Sequence, residues 1–250
     1  MINLEEDWEF NVLGIYNYKK EGPFSSLFEF IKENHDNIDG DILESGVFRG
    51  NSLLAMALLL KEIGSDKKVY GFDSFSGFPA VPHAYDDLAM FKKLFAEKKI
   101  SRQHYEFVQK NSNWREFFLE KKVNVKNISS SKDFSNTNLE LLYKKIKLLE
   151  LDNIEIVKGL FSETMVMDKE KPKRIMAVLM DCDLYESYME TFNFVWDRMS
   201  LGGMIYLDEY YSLKFPGARI ATDKFLEQNS GTLKMSKKKG SFERWHLIKK

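Results

Sequence analysis

Short runs of apolar residues alternate along the chain with longer segments whose apolar residues recur at helical spacing. The runs that predict strands begin at Ile42 and continue at Lys68–Asp73, Asn153–Gly159, Arg174–Asp181 and Met204–Asp208. The segments that predict helices are Leu53–Leu60, Leu139–Leu149, Leu184–Met199 and Pro216–Gln228. The helix from Leu184 should end at Gly202-Gly203. A hairpin, Leu233–Ser236 with Phe242–Ile248 around Lys237–Gly240, closes the chain. The alternation predicts an α/β fold: a doubly wound, mostly parallel sheet with one antiparallel strand near the C-terminus.

Two stretches fall outside this alternation. Residues 1–39 predict an N-terminal helical segment, with a serine cap at Ser25, that covers the first strand or the mouth of a ligand site. Residues 40–250 predict one domain with a helical insertion at about 80–147. The insertion predicts helices at Asp86–Lys99 and Gln103–Lys122, followed by a polar loop at Ser129–Asn138. It is too long for an ordinary connection, so we expect a lid.

Charge and composition exclude several classes of partner. The 250 residues carry a net charge of −1, so no overall field favours nucleic acid or an anionic membrane. Cys182 is the single cysteine and cannot form an internal disulfide, which fits a reducing, cytoplasmic setting. The sequence has no signal-peptide pattern and no apolar run of the ~20 residues that a membrane span needs.

The first predicted strand leads into a glycine turn and then a helix. Glu44 follows the apolar start of the strand, and Gly46 and Gly50 precede the helix. Glycines allow backbone to approach a ligand closely, and a helix start offers free N–H groups to a carboxylate. Glu44 adds the opposite polarity, so the turn suits a small molecule with both an amine and a carboxylate, such as S-adenosylmethionine. The alternative is an ordinary strand–turn–helix of an α/β protein.

Carboxylates follow several other predicted strands. Asp73 ends the second strand, where a ribose diol is usually bound. Asp181 and Asp183 follow a later strand, and Asp208-Glu209 follows the next. If these strands are neighbours their carboxylates converge, and hard oxygen ligands without a Cys/His cluster favour Mg²⁺. The alternative is that these acids cap helices and turns.

With these residues in place, the chain resembles the macrocin O-methyltransferase family of class I S-adenosylmethionine-dependent methyltransferases. The stretches that match, in order, are Glu44–Ser52, Phe72–Pro79, Gly159–Thr164, Asp181–Ser187 with Gly202-Gly203 and Asp208–Tyr210, and Pro216–Asp223. The resemblance covers about residues 40–79 and 150–228 and implies the Rossmann-like class I methyltransferase fold. The insertion matches the family poorly.

The resemblance implies a set of cofactor contacts. Glu44 and Ser52 would hold the amino-acid end of S-adenosylmethionine, with Gly46 allowing close approach. Asp73 would accept hydrogen bonds from the ribose hydroxyls, with Ser74 beside them. Leu160 and Phe161 would lie near the adenine.

The resemblance also implies a metal site and a sugar substrate. Asp181, Asp208 and Glu209 would hold Mg²⁺, although Glu209 departs from the aspartate more usual in the family. The lysine base of the related catechol-type enzymes would fall at Leu184, so that base is absent and Asp183 is the nearest replacement. The implied reaction is Mg²⁺-assisted methylation of a sugar hydroxyl, on a nucleotide-activated sugar for a surface polysaccharide or on a glycosylated metabolite.

Other assignments stay open at this point. His104 is the strongest histidine candidate for a base, while His83, His35 and His246 are weaker, and for each the alternative is a surface or packing role. An NAD-dependent oxidoreductase on a Rossmann-like fold is a second reading, although no Gly-x-Gly-x-x-Gly opens the first helix. A non-catalytic S-adenosylmethionine-binding protein is a third. The N-terminal helices could also mediate a homo-oligomer.

Overall fold

The computed structural model describes residues 4–166, 172–239 and 242–250, and in these it contains one seven-stranded sheet. In chain order, the strands are β1 (Asp41–Ser45), β2 (Val69–Asp73), β3 (Ile154–Lys158), β4 (Ile175–Met180), β5 (Met199–Leu207), β6 (Gly231–Lys239) and β7 (Phe242–Lys249). They lie side by side in the order β3-β2-β1-β4-β5-β7-β6. Strands β1 to β5 are parallel, and β7 pairs antiparallel with both β5 and β6. The predicted sheet with its antiparallel strand is confirmed.

Helices connect the strands and cover both faces of the sheet. They are α1 (Asp7–Leu13), α2 (Ser25–Asn34), α3 (Asn51–Glu62), α4 (Met90–Ala96), α5 (Arg102–Leu119), α6 (Leu139–Leu148), α7 (Phe161–Thr164), α8 (Tyr185–Val195) and α9 (Pro216–Gln228). The chain leaves β1 toward β2 and β3 on one side, and returns to β4 and β5 on the other. The order therefore reverses between β1 and β4, which is where such sheets bind ligands.

The core is deepest at β4 and α3. Every residue of β4 is buried, because β1 and β5 flank it and helices cover its faces. Helix α3 is buried continuously from Ser52 to Leu60. A helix that is apolar on all sides needs protein on all sides, and α3 packs between the sheet and α2.

The N-terminal segment is fixed to the sheet through β5. The Tyr206 hydroxyl donates a hydrogen bond to the Pro23 carbonyl at 2.6 Å, and the Phe24 ring meets Tyr206 edge-to-face with centroids 5.4 Å apart. The expected serine cap at Ser25 is wrong. Phe24 is the N-cap of α2, and the Ser25 hydroxyl exchanges hydrogen bonds with the backbone of Gly22 instead.

Two predicted helices also differ from the structure. Helix α8 ends before Gly202-Gly203, and both glycines lie within β5, where a β-carbon on Gly203 would come within 2.8 Å of the Met176 carbonyl oxygen. The glycine thus lets β5 approach β4. In the insertion, the helix predicted at Asp86–Lys99 is interrupted, because Asp87 is extended (φ −63°, ψ 132°) between a 3₁₀ turn and α4.

The predicted C-terminal hairpin is present as β6 and β7. Its turn at residues 240–241 lies outside the described residues, as do the side chains of residues 237–239. None of the described helices is long and apolar enough to cross a membrane.

A carboxyl group is buried where β1 meets α3. Glu44 has no exposed surface, and the Ser52 hydroxyl donates a hydrogen bond to its Oε1. Its Oε2 has no hydrogen-bond partner. Burial, with a smaller contribution from the charge of Asp73, raises the pKa of Glu44 from 4.5 to about 8. Glu44 is therefore protonated in the native protein at neutral pH.

We expect Glu44→Gln to reduce the pH dependence of stability. The native protein keeps the Glu44 proton up to about pH 8, whereas the unfolded chain releases it near 4.5, so stability is lost as the pH rises through this range. Urea unfolding of both proteins at about pH 5 and about pH 8.5 measures the effect. The wild-type protein should lose more free energy of unfolding than the variant, by a few kcal/mol. The other buried acids contribute the same pH dependence to both proteins, so their effect cancels in the comparison. Equal losses would contradict the raised pKa.

Candidate active site

A cavity of about 380 Å³ opens at the carboxyl ends of the parallel strands, on both sides of the chain reversal. The loops after β1, β2 and β3 line one part of it, through Gly46, Phe48, Arg49, Asn51, Ser52, Asp73, Ser74, Leu160 and Phe161. The insertion and the start of α8 line another part, through Phe78, His83, Asp86, Phe134, Glu186 and Ser187. Asp181 and Asp183, directly after β4, also line the wall.

The turn after β1 is held against the end of β4. Gly46 has a φ of +91°, and a β-carbon there would lie 2.0 Å from the Asp181 carbonyl oxygen. A side chain at this position would therefore separate the two loops. The contact brings the turn expected to bind the cofactor beside Asp181. Ser52 reaches the cavity wall, whereas its partner Glu44 lies behind it and is absent from the lining.

Asp73 is fixed in one orientation by backbone donors. The Phe48 N–H donates to its Oδ2 at 2.8 Å, and the Phe75 N–H donates to its Oδ1 at 2.6 Å. A carboxylate has about four acceptor positions, so both oxygens can still accept from a ligand. Asp73 and its neighbour Ser74 line the cavity. The carboxylate is thus held in a fixed orientation with acceptor positions left for a ligand.

The acids after β4 and β5 form one electrostatic cluster. Burial raises the pKa of Asp181 well above its usual value, and the charges of Asp208, Asp183 and Glu209 raise it further. Burial also raises the pKa of Asp208 to about 6, helped by Glu209. Asp183 is 6% exposed and non-glycine, yet has a φ of +60°. Such backbone is uncommon outside glycine and often marks functional sites.

Two cations already neutralise part of this cluster. Arg244 contacts the Asp208 carboxylate at 2.7 Å, and Lys214 lies 3.4 Å from that of Glu209. Carboxylate oxygens are the donors that Mg²⁺ prefers, so the chemistry of the set suits that ion. However, no group of three His, Cys, Asp or Glu side chains in the described residues is arranged to hold a metal. Asp208 and Glu209 are also absent from the cavity lining, unlike Asp181.

His104 occupies a packing position. It is 3% exposed, stacks on Tyr211 with ring centroids 4.0 Å apart, and donates from Nε2 to the Ser212 carbonyl at 2.7 Å. It is not among the residues that line the cavity. The geometry therefore argues for the packing alternative and against a role for His104 as a base.

Tyr16 and Asp86 are among the residues of the cavity wall that were not singled out from the sequence. Tyr16 reaches it from the N-terminal segment. Burial, together with the charges of Asp181, Asp208 and Glu44, raises the pKa of Tyr16 to about 12. Asp86 reaches the wall from the insertion. Nothing in the local sequence pattern of either residue signals its place, because both come from segments that only the tertiary fold brings to the sheet edge.

Relatives of known activity match most of the chain. Demethyldecarbamoylnovobiocin O-methyltransferase from Streptomyces niveus is 26% identical over 225 residues, which is 89% of this chain and 71% of the relative. Mycinamicin III 3''-O-methyltransferase from Micromonospora griseorubida is 25% identical over 198 residues, which is 78% of this chain and 63% of that protein.

Solved methyltransferases share the fold. The O-methyltransferase NovP superposes with a TM-score of 0.57 at 19% identity, over 89% of this chain and 79% of NovP. The calicheamicin methyltransferase CalS11 superposes with a TM-score of 0.60 at 18% identity, over 90% of this chain and 76% of CalS11. At these identities the likeness concerns the fold alone, and it confirms the class I methyltransferase architecture.

The family assignment rests on the sequence of almost the whole chain. A model of the macrocin-O-methyltransferase family matches residues 24–127 and 112–240. This match includes both the turn after β1 and the acids after β4 and β5, and it decides against the oxidoreductase reading. The chain therefore belongs to the macrocin O-methyltransferase family and is an S-adenosylmethionine-dependent O-methyltransferase.

Proposed function

We propose that this enzyme transfers the methyl group of S-adenosylmethionine to a hydroxyl of a sugar, on a glycosylated metabolite or a nucleotide-activated sugar. The observation that carries the proposal is that Asp73, Asp181 and Asp183 line the same cavity. Relatives named for mycinamicin and for a rhamnosyl-tetracenomycin support a sugar acceptor, as does a structural neighbour named for TDP-rhamnose. A nucleotide sugar destined for a surface polysaccharide is one such acceptor.

In the proposed complex, the cofactor lies between the turn after β1 and the end of β2. Asp73 accepts hydrogen bonds from the ribose hydroxyls, with Ser74 beside it. Leu160, which is 50% exposed, and Phe161 give the adenine an apolar surface. Ser52 and the backbone around Gly46 contact the amino-acid end. Glu44 acts from behind Ser52, by orienting its hydroxyl.

Methyl transfer is an in-line displacement at the methyl carbon. The acceptor oxygen forms the new C–O bond while the C–S bond breaks, and sulfur keeps the electron pair of that bond. We propose that Asp183 takes the hydroxyl proton, because this side chain lines the cavity next to Asp181. Burial, helped by the charge of Glu209, raises the pKa of Asp183 well above its usual value, which makes its ionised form a stronger base. Holding the two reactants aligned contributes up to ~7–11 kcal/mol in ideal cases, and a positioned base adds a factor of ~10²–10⁴.

We propose Mg²⁺ as a further component, on the chemistry of the donors alone. Asp181, Asp208 and Glu209 would supply the oxygen ligands, and Arg244 and Lys214 would have to give up their contacts with Asp208 and Glu209. When bound, the ion lowers the pKa of a hydroxyl that it contacts.

We expect the purified protein to release S-adenosylhomocysteine from S-adenosylmethionine only when a suitable sugar is present. A panel of nucleotide sugars and glycosides, with TDP-rhamnose included, tests this with Mg²⁺ and with EDTA. Turnover that EDTA abolishes and Mg²⁺ restores supports both parts of the proposal. Full turnover in EDTA would contradict the proposed role of Mg²⁺ and would still support methylation of a sugar. If none of the sugars in the panel leads to release of S-adenosylhomocysteine, although S-adenosylhomocysteine stabilises the protein against heat, the result would count against a sugar acceptor.

We expect Asp183→Asn to lower kcat by about 10²–10⁴-fold, because the amide cannot accept the proton. The thermal stabilisation by S-adenosylhomocysteine should stay close to that of the wild-type protein. Asp66→Asn, which changes an exposed carboxylate, is the matched control and should leave kcat unchanged. If Asp183→Asn keeps more than half of the wild-type kcat, Asp183 is not the base.

A further inference from the structure

Asp86 is a buried carboxylate in the cavity wall that uses only one of its oxygens. It closes the 3₁₀ turn Ala84–Asp86 of the insertion and is 1% exposed. Its Oδ1 accepts a hydrogen bond of 2.8 Å from the N–H of Tyr185, the first residue of α8. Its Oδ2 has no partner with full hydrogen-bond geometry, and the nearest donor to the carboxylate besides Tyr185 is the backbone N–H of His83, which helps to lower its pKa. A buried carboxylate oxygen without a well-aligned donor is costly, so a ligand that brings a donor gains from this position.

The surroundings of Asp86 are shaped to receive it. A β-carbon on Gly217 would lie 2.0 Å from Asp86 Oδ1, so any larger residue there would displace the carboxylate. Gly217 belongs to the first turn of α9, and Tyr185 begins α8. Helix N-termini carry partial positive charge that stabilises an anion. Burial raises the pKa of Asp86 only to about 6, so the side chain is ionised at neutral pH and acts as an acceptor.

His83 supplies a complementary donor in the same wall. Its Nδ1 accepts a hydrogen bond of 3.0 Å from the Tyr85 N–H, so the neutral ring carries its proton on Nε2. The ring stacks on Tyr185 with centroids 4.5 Å apart and an interplanar angle of 27°. His83 lines the cavity, as Asp86 does. With Nδ1 engaged in this way, His83 has Nε2–H as the donor that it can offer to a ligand.

We propose that Asp86 and His83 recognise a hydroxyl of the sugar acceptor that is not methylated, with Asp86 Oδ2 accepting from it and His83 Nε2 donating to an oxygen beside it. This inference rests on the sugar methylation proposed above. Asp86 and Asp183 both line the same cavity, one from the insertion and the other from the end of β4. A sugar presenting one hydroxyl to Asp183 therefore has a second one to offer to Asp86.

A purely structural role for Asp86 makes a different prediction. If Asp86 only caps α8, then Oδ1 is the oxygen that matters and Oδ2 is irrelevant. Asp86→Asn separates these roles, because the amide oxygen can still accept from the Tyr185 N–H while a donor replaces Oδ2. Asp86→Ala removes both functions.

The test measures KM and kcat for TDP-rhamnose at saturating S-adenosylmethionine, together with the melting-temperature shift caused by S-adenosylhomocysteine. For Asp86→Asn we expect KM to rise about 10- to 100-fold, with kcat changing far less and the shift unchanged. His83→Phe keeps a ring against Tyr185 and should raise KM in the same way. The control is Asp87→Asn, an exposed neighbour outside the cavity lining, which should keep the wild-type KM.

The outcomes separate this inference from the function on which it rests. If the wild-type protein methylates TDP-rhamnose and Asp86→Asn has the wild-type KM, Asp86 is a helix cap only and the inference is overturned. The same holds if Asp87→Asn raises KM as much as Asp86→Asn does. If the wild-type protein methylates no sugar, both the proposed function and this inference fall.

Discussion

The burial of several carboxyl groups at one edge of a parallel sheet is the constraint on which the rest of the structure depends. Parallel strands end at the same edge, so acids that follow β4 and β5 meet there whatever the cost of bringing them together. Arg244 and Lys214 offset part of that cost at Asp208 and Glu209. Asp181 and Asp183 have no such direct ion pair among the described residues, and they are the ones that line the cavity.

The fold joins this acidic edge to two ligand-facing surfaces. Gly46 allows the turn after β1 to touch the backbone of Asp181, which sets the cofactor side next to the acids. Gly217 allows Asp86 of the insertion to reach the start of α8, which sets the insertion against the same acids. In each case a glycine removes the side chain that would keep two loops apart. The loops proposed to bind the methyl donor and the acceptor thereby line one cavity.

The sequence predicted most of the architecture, because the buried strands and α3 are continuous apolar runs that hardly any other arrangement can bury. It also indicated Asp73, Asp181 and Asp183 as cavity residues, since each follows a predicted parallel strand and parallel strands end at the same edge of the sheet. It failed where contacts far apart in sequence decide the outcome. His104 is a packing residue because of Ser212, and Asp86 enters the wall because of α8. No local pattern encodes either contact.

A crystal structure with bound S-adenosylhomocysteine tests whether the cofactor and the acids after β4 share one cavity. We expect the ribose hydroxyls to lie within hydrogen-bond distance of Asp73 and the sulfur to face Asp181 and Asp183. A ligand bound with its ribose away from Asp73, or with its sulfur turned from these two carboxylates, would show that they do not.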